Sequence, residues 1–288
     1  MSNHKIAVVT DSTAYIPEEA LDDLNIPIIP LWVIWGDERF RDGVDIDPPT
    51  FYRRLREAKT LPTTSQPSAG EFIDFFRRVA AENDTDTIVG TYISSGLSGT
   101  VASAEAAKAQ LPKLNITIID SLFTSMGQGF VALAAARVAA AGGSLEEVIA
   151  TAEKTQSRSH VLFAVDTLEY LHRGGRIGGA QRFLGTALRI KPLLHLEGGH
   201  IEPLAQPRTK RKAIAQMLDV AEERLGGRPV AEASVFDADS PDERDAVAEQ
   251  IKERFGISTV YRTMVSPVIG THTGPGSVGV AFYPAASD

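Results

Sequence analysis

Three segments rich in hydroxyls carry the side chains best suited to chemistry: "TDSTA" from Thr10, "SSGLSGT" from Ser94 and "DSLFTSMGQG" from Asp120. A fourth, "LPTTSQPSAGEF", holds Thr63, Thr64 and Ser65, and a lone histidine, His272, stands in "GTHTGPG" near the C-terminus. Hydroxyls and backbone N–H groups beside glycines are neutral hydrogen-bond donors, the equipment for holding an anion, above all where a helix begins. In "YISSGLSGTVASAEAA", Ser94 and Ser95 end a predicted strand, Gly96 and Gly99 permit a tight backbone, and a helix starts near Ser98. A nucleophilic serine fits less well, because Ser98 is followed directly by Gly99 and so breaks the G-x-S-x-G pattern. Anion binding is the better reading. Ser68 with Glu71 three residues on has capping-box spacing, which leaves Thr63, Thr64 and Ser65 free for a ligand or an ordinary turn.

Other patterns are weaker. Gly127, Gly129 and Ala132 form G-x-G-x-x-A, but Asp120 to Met126 separate them from the preceding strand, so close helix packing through small residues is expected instead of a dinucleotide site. Asp11 is expected to cap the turn after the first strand. The six histidines are scattered without an i, i+4 pair, which argues against a metal site. Arginines beside Gly-rich turns, Arg173 and Arg176 in "LHRGGRIGG" and Arg208 in "QPRTKRKA", suit phosphoryl oxygens, although such runs are usually solvated faces. On a helix, Arg208 and Lys212 would share a face.

The elements that must position these groups alternate. "KIAVVTD", "IPIIPLWVIW", "DTIVGTYIS" and "NITIID" read as strands; "PEEALDDL", "TFYRRLREA" and "AGEFIDFFRRVAAEN" read as helices. That alternation predicts a mainly parallel sheet with crossover helices and ligands at the carboxyl ends of the strands. After Thr151 the pattern becomes mixed: a strand at "SHVLFAVDT", a short helix with a Gly-rich break in "TLEYLHRGGRIGGAQRFLG", and a hairpin turned by Glu197-Gly198-Gly199. A helix (Thr209 to Leu225), a strand at "VAEASVFDA", a helix (Pro241 to Phe255) and strands at "ISTVYRTM" and "SVGVAFY" follow. His272 is expected on a loop at a strand edge. The predicted fold is α/β in two domains, residues 1–157 and 158–288, with a mainly parallel sheet in the first, a mixed sheet in the second and a ligand cleft between them.

Bulk properties narrow the function further. The 288 residues are 43% apolar and 23% charged, with a formal charge of −8 that disfavours nucleic acid as a partner. The absence of cysteine excludes disulfides, thiolate catalysis and cysteine-ligated metals. "MSNHKIAVVTD" lacks a signal peptide's apolar run, and "GFVALAAARVAAAGG" is too short and too interrupted to span a bilayer, so a cytoplasmic location is expected.

Taken in order, "VVTDST", "PTTSQPS", "ISSGLSGT", "DS" with "SMGQG", "TLEYLHRGGRIGG", "KPLL", "RTKRKA" and "GTHTGPGSVGVAF" resemble the DegV family, fatty-acid-binding proteins that serve bacterial fatty acid kinases. The motifs cover nearly the whole chain. The resemblance implies a carrier with no catalytic residue, cofactor or metal of its own. Such a carrier buries one long-chain fatty acid of the palmitate, stearate or oleate class and presents its carboxylate to a separate ATP-dependent kinase, with transient membrane contact. It implies that Thr64 and Ser95, with Thr63 and Ser94 beside them, and His272 hold the carboxylate, while Arg176 and Arg208 present the head group to the kinase. Phe130, Leu133, Val138, Phe163, Leu168, Phe183 and Leu184 are candidates for lining the tail, each taken singly being better explained as core. Two alternatives stay open: an enzyme of the same fold acting on a small polar or phosphorylated substrate, and a lipid-responsive regulatory protein.

Overall fold

The computed structural model describes residues 5–184 and 190–286; Gly185, the last residue of the Gly-rich helical segment, lies outside them. The chain begins β1 (Ile6–Asp11), α1 (Glu18–Leu21), β2 (Ile28–Ile29), β3 (Trp32–Trp35), β4 (Glu38–Arg41), α2 (Pro48–Glu57), β5 (Thr63–Ser65) and α3 (Ala69–Asn83). It continues β6 (Thr87–Tyr92), α4 (Thr100–Lys108), β7 (Asn115–Asp120), α5 (Ser125–Ala140), α6 (Leu145–Gln156), β8 (His160–Ala164) and α7 (Glu169–Arg173). The remainder is β9 (Leu193–Glu197), β10 (His200–Ala205), α8 (Lys210–Leu225), β11 (Val230–Asp237), α9 (Pro241–Phe255), β12 (Tyr261–Met264), α10 (Pro267–Thr273) and β13 (Val278–Pro284).

The strands form an α/β fold with a parallel sheet and a mixed sheet. The order β2-β1-β6-β7 is parallel throughout, as the alternation of the first half predicts. The order β10-β9-β8-β13-β11-β12 is antiparallel except for its last pair. A small antiparallel sheet, β4-β3-β5, stands beside them.

Helix α5 is the layer that the two large sheets share. Residues 125–136 are all buried, and the helix packs against β1 and β6 on one side and β11 and β13 on the other. Its small residues make this approach close. A Cβ on Gly127 would overlap Val161 Cγ2 of β8 and stand 3.0 Å from Phe123 Cβ, so the glycine pattern serves helix packing, as expected. A helix apolar on every face belongs in an interior. The largest apolar cluster accordingly joins residues from both halves of the chain, from Val8 to Tyr283.

Five local expectations are corrected. "IPIIPLWVIW" is two strands in two different sheets, because Pro30 has no N–H to continue a ladder. Thr63 to Ser65 form a short strand rather than a loop, paired through Val33↔Thr64. "SSGLSGT" follows a strand that ends at Tyr92, and its helix begins at Thr100. His272 lies in a helix, not a loop. Ser266 Oγ accepts from Ile269 N–H at 3.3 Å, Pro267 fills the first turn, and Gly274 at φ 70° stops the helix directly after Thr273. Arg208 also precedes its helix, since Thr209 is the N-cap and accepts from Lys212 N–H at 3.3 Å; it shares no helix face with Lys212.

Candidate functional site

A cavity with about 840 Å³ of space between atoms, its mouth included, opens where the carboxyl ends of the parallel strands face the mixed sheet. Its apolar wall combines Leu31 and Ile93 from the first half with Val161, Phe163, Leu196 and Phe236 from the mixed sheet. Its polar side is built mostly of hydroxyls: Thr64, Ser65, Ser98, Thr124, Ser125, Thr273 and Ser277. Among the described residues, no aspartate, glutamate or lysine lines it, and Arg176 is its one arginine. Such a lining favours an apolar body with a single anionic end.

Thr64 and His272 meet at the polar end. β5 brings Thr64 in through its pairing with β3, and α10 brings His272 to its last turn. Thr64 Oγ1 and His272 Nε2 are 2.8 Å apart. On the other side of the ring, Nδ1 is buried without a hydrogen-bond partner. It faces Gly174, where a Cβ would overlap it, so a glycine at that point is what lets the ring sit there. Burial, reinforced by the nearby Arg176 charge, lowers the His272 pKa to about 4. The imidazole is therefore neutral at neutral pH. When Nε2 carries the proton it donates to Thr64 Oγ1, and the Thr64 hydroxyl proton is left free for an acceptor in the cavity.

Arg176 stands exposed at the mouth, its Nε donating to Leu97 O at 3.2 Å and NH1 to Gly174 O at 2.8 Å. The Gly-rich turn after α7 thus orients it across the "SSGLSGT" loop.

Other predicted residues lie apart from this pair. Ser94 is fully buried, but its hydroxyl donates to Gly199 O at 2.7 Å and accepts from Gly96 N–H at 3.1 Å, fastening the loop to the β9–β10 turn. Ser95 is exposed, with its N–H 3.2 Å from Asp120 Oδ1. Thr63 and Arg208 are also exposed, and none of these four lines the cavity. Asp11 caps its turn as expected, accepting from Thr13 N–H at 2.9 Å and from Ile93 N–H at 2.8 Å. Among the tail candidates, Phe163 alone lines the cavity. Phe130 and Leu133 are fully buried core, Leu168 and Phe183 are buried, Val138 is half-buried, and Leu184 is 43% exposed.

Sequence reasoning passed over Ser125. It lines the cavity at the first position of α5, at φ 53°, and its Oγ is buried without a hydrogen-bond partner. A buried hydroxyl without a partner, at the positive end of a 16-residue helix, is a donor awaiting an acceptor. The available signal was a serine opening a helix of small residues, "SMGQGFVALAAA". Among the described residues, no group of three or more histidine and acidic side chains could hold a metal ion, and no helix is long and apolar enough to cross a membrane.

A family model described as "Uncharacterised protein, DegV family" matches residues 5–285. A DegV domain-containing protein of Streptomyces coelicolor is 42% identical over 281 residues, 97% of this chain and 98% of that one. Among solved structures, the fold is similar to a DegV family protein from Thermus thermophilus described for its fatty acid binding. The TM-score is 0.90 at 35% identity, over 98% of this chain and all of that one. It is also similar to DegV of Bacillus subtilis, described as a fatty acid binding protein, with a TM-score of 0.88 at 35% identity over the same shares.

Proposed function

The chain belongs to the DegV family, and from that premise we propose that it binds one long-chain fatty acid of the palmitate, stearate or oleate class. The acyl tail occupies the apolar cavity and the carboxylate sits at the Thr64–His272 end. One observation carries this reading: an apolar cavity whose described lining holds no acidic side chain contains a threonine and a neutral histidine in mutual contact, and a buried serine hydroxyl without a partner also lines it. The descriptions of the Thermus and Bacillus relatives support it.

Magnitudes divide the labour. At roughly 0.8 kcal/mol per buried methylene, a palmitoyl tail offers about 10 kcal/mol gross. Each hydrogen bond to the carboxylate adds about 1–3 kcal/mol before desolvation is subtracted. The tail dominates affinity; Thr64, His272 and Ser125 set orientation.

The carboxylate is then available to a separate ATP-dependent kinase. One carboxylate oxygen attacks the γ-phosphorus of ATP, the bond to the ADP oxygen breaks, and acyl phosphate and ADP result. The partner supplies the nucleotide site and Mg²⁺, since the sequence carries no P-loop or kinase motif set. Arg176 at the mouth and the exposed Arg208 face that partner and the incoming charge. Ser94 shapes the loop that holds this end together, and Ser95 and Thr63 form its outer rim. The molecule is read as two units, 1–157 and 158–288, supported by a parallel sheet that ends at Asp120 and a mixed sheet that begins at His160. It acts in the cytoplasm, with brief membrane contact when lipid is exchanged.

Native mass spectrometry of the purified protein tests the binding step. One co-purified or added fatty acid per chain is expected; protein that ignores palmitate and oleate overturns the reading. For the second step, hydroxylamine trapping should yield acyl hydroxamate only when kinase, ATP and loaded carrier are together.

A further inference from the structure

The mixed sheet turns rows of side chains toward the cavity, and one row contains a gap. Phe236 on β11 pairs with Gly279 on β13, which pairs in turn with Phe163 on β8. Both phenylalanines line the cavity. A Cβ on Gly279 would overlap Cε2 and Cζ of Phe236, so the Phe236 ring lies across the space that the missing side chain leaves.

This ring marks where the cavity ends on that side. Running along β13 away from His272, the residues on one face are Ser277, Gly279 and Ala281. Ser277 lines the cavity, while Ala281 and its partner Ser234 do not. Val161, paired with Ala281 on the opposite strand, does line it. The cavity therefore continues along β8 but stops at Phe236 along β11 and β13. Behind the ring, Ser234 Oγ is buried with no hydrogen-bond partner, an unfavourable neighbour for a methyl terminus.

We infer that Phe236, seated over Gly279, is the stop for the acyl tail and selects its length. The inference rests on the fatty-acid reading and adds to it the residue pair that sets chain-length preference. A tail that extends along β11 and β13 must displace the ring, and a side chain at position 279 must displace it as well.

The test offers an equimolar ladder of saturated acids, laurate to behenate, to delipidated wild type, Phe236→Ala, Phe236→Leu, Gly279→Ala and the double variant Phe236→Ala/Gly279→Ala. Native mass spectrometry reads the bound distribution, and thermal melting checks folding. Phe236→Ala should favour longer acids by about tenfold over the wild-type optimum, the worth of roughly two methylenes, with Phe236→Leu intermediate. Gly279→Ala should shift the optimum to shorter acids, and the double variant should lose that shortening. Folded Phe236→Ala with the wild-type distribution overturns the inference and leaves fatty-acid binding standing. Wild type that loads no acid overturns both. Should Gly279→Ala fail to fold, its Cβ standing 2.7 Å from Leu162 O, the two Phe236 variants decide alone.

Discussion

Thr64 and His272, 208 residues apart in the chain, are joined Oγ1 to Nε2 at 2.8 Å, and the ring's other nitrogen is buried without a partner. Only the assembled fold makes this pair, and its chemistry is one-sided: neutral donors meet where none of the described lining residues is acidic.

Head and tail are therefore separable by mutation. His272→Ala removes about one hydrogen bond's worth of binding, of order 1 kcal/mol, so palmitate affinity should fall about fivefold by titration calorimetry. Acyl phosphate formation with a cognate kinase should fall much further. Equal losses in both would refute the division of roles.

Ser125 makes the opposite prediction for the two ligand states. Replacing a partnerless buried hydroxyl removes an unsatisfied group, so Ser125→Ala should leave the melting temperature of delipidated protein unchanged or raise it. The same variant should bind palmitate more weakly. A drop in unliganded stability would mean that the hydroxyl already has a structural partner.

Gly127 tests the close approach of α5. Its Cβ would overlap Val161 Cγ2, and overpacking costs about 1–3 kcal/mol. Gly127→Ala should lower the urea midpoint, and adding Val161→Ala should recover part of the loss. Unaltered stability in Gly127→Ala would contradict the packing described.

Stability should depend on pH through groups that pull in opposite directions. His272 and His160 are both lowered to about 4. For His272 the causes are burial and then Arg176; for His160 they are burial and then Arg224, Arg228 and His195. A histidine in the unfolded chain titrates near 6.5, so the unfolded state takes up protons first and stability falls as pH drops from about 6.5 toward about 4. Asp42 is raised to about 7, mainly by burial and further by the Asp11 charge, while hydrogen bonds from Ser12, Ser266 and Val268 oppose the rise. Its contribution is full at low pH and is lost as pH rises from about 4 through about 7. Urea midpoints measured across this range should show a flatter acid side in His160→Gln and His272→Gln, and a gain near pH 8 in Asp42→Asn. The reverse slopes would contradict these assignments.

Much of the fold follows from local signals. The capping box at Ser68 and Glu71 opens α3 where its spacing says, and Pro241 to Phe255 form a helix with the predicted ends. Where local signals compete, the prediction fails: Pro30 divides one apolar run between two sheets, and Ser266-Pro267 starts a helix where the glycines and proline beyond it suggest only a loop. Thr64, His272 and Arg176, which the family resemblance singles out, all line the cavity. Ser125 was hidden among serines that serve caps and turns. Phe236 was hidden because a cavity wall and a core share one composition. The glycine at 279, inside an otherwise apolar strand, was the signal of a close approach.

The most direct test of the central claim is a crystal structure with bound palmitate. A carboxylate within hydrogen-bond distance of Thr64 Oγ1 is expected, with the tail running between Phe163 and Leu196 and its methyl end against Phe236. Density that places the carboxylate at Phe236, or the acid on the outer surface with the cavity filled by side chains, would contradict it.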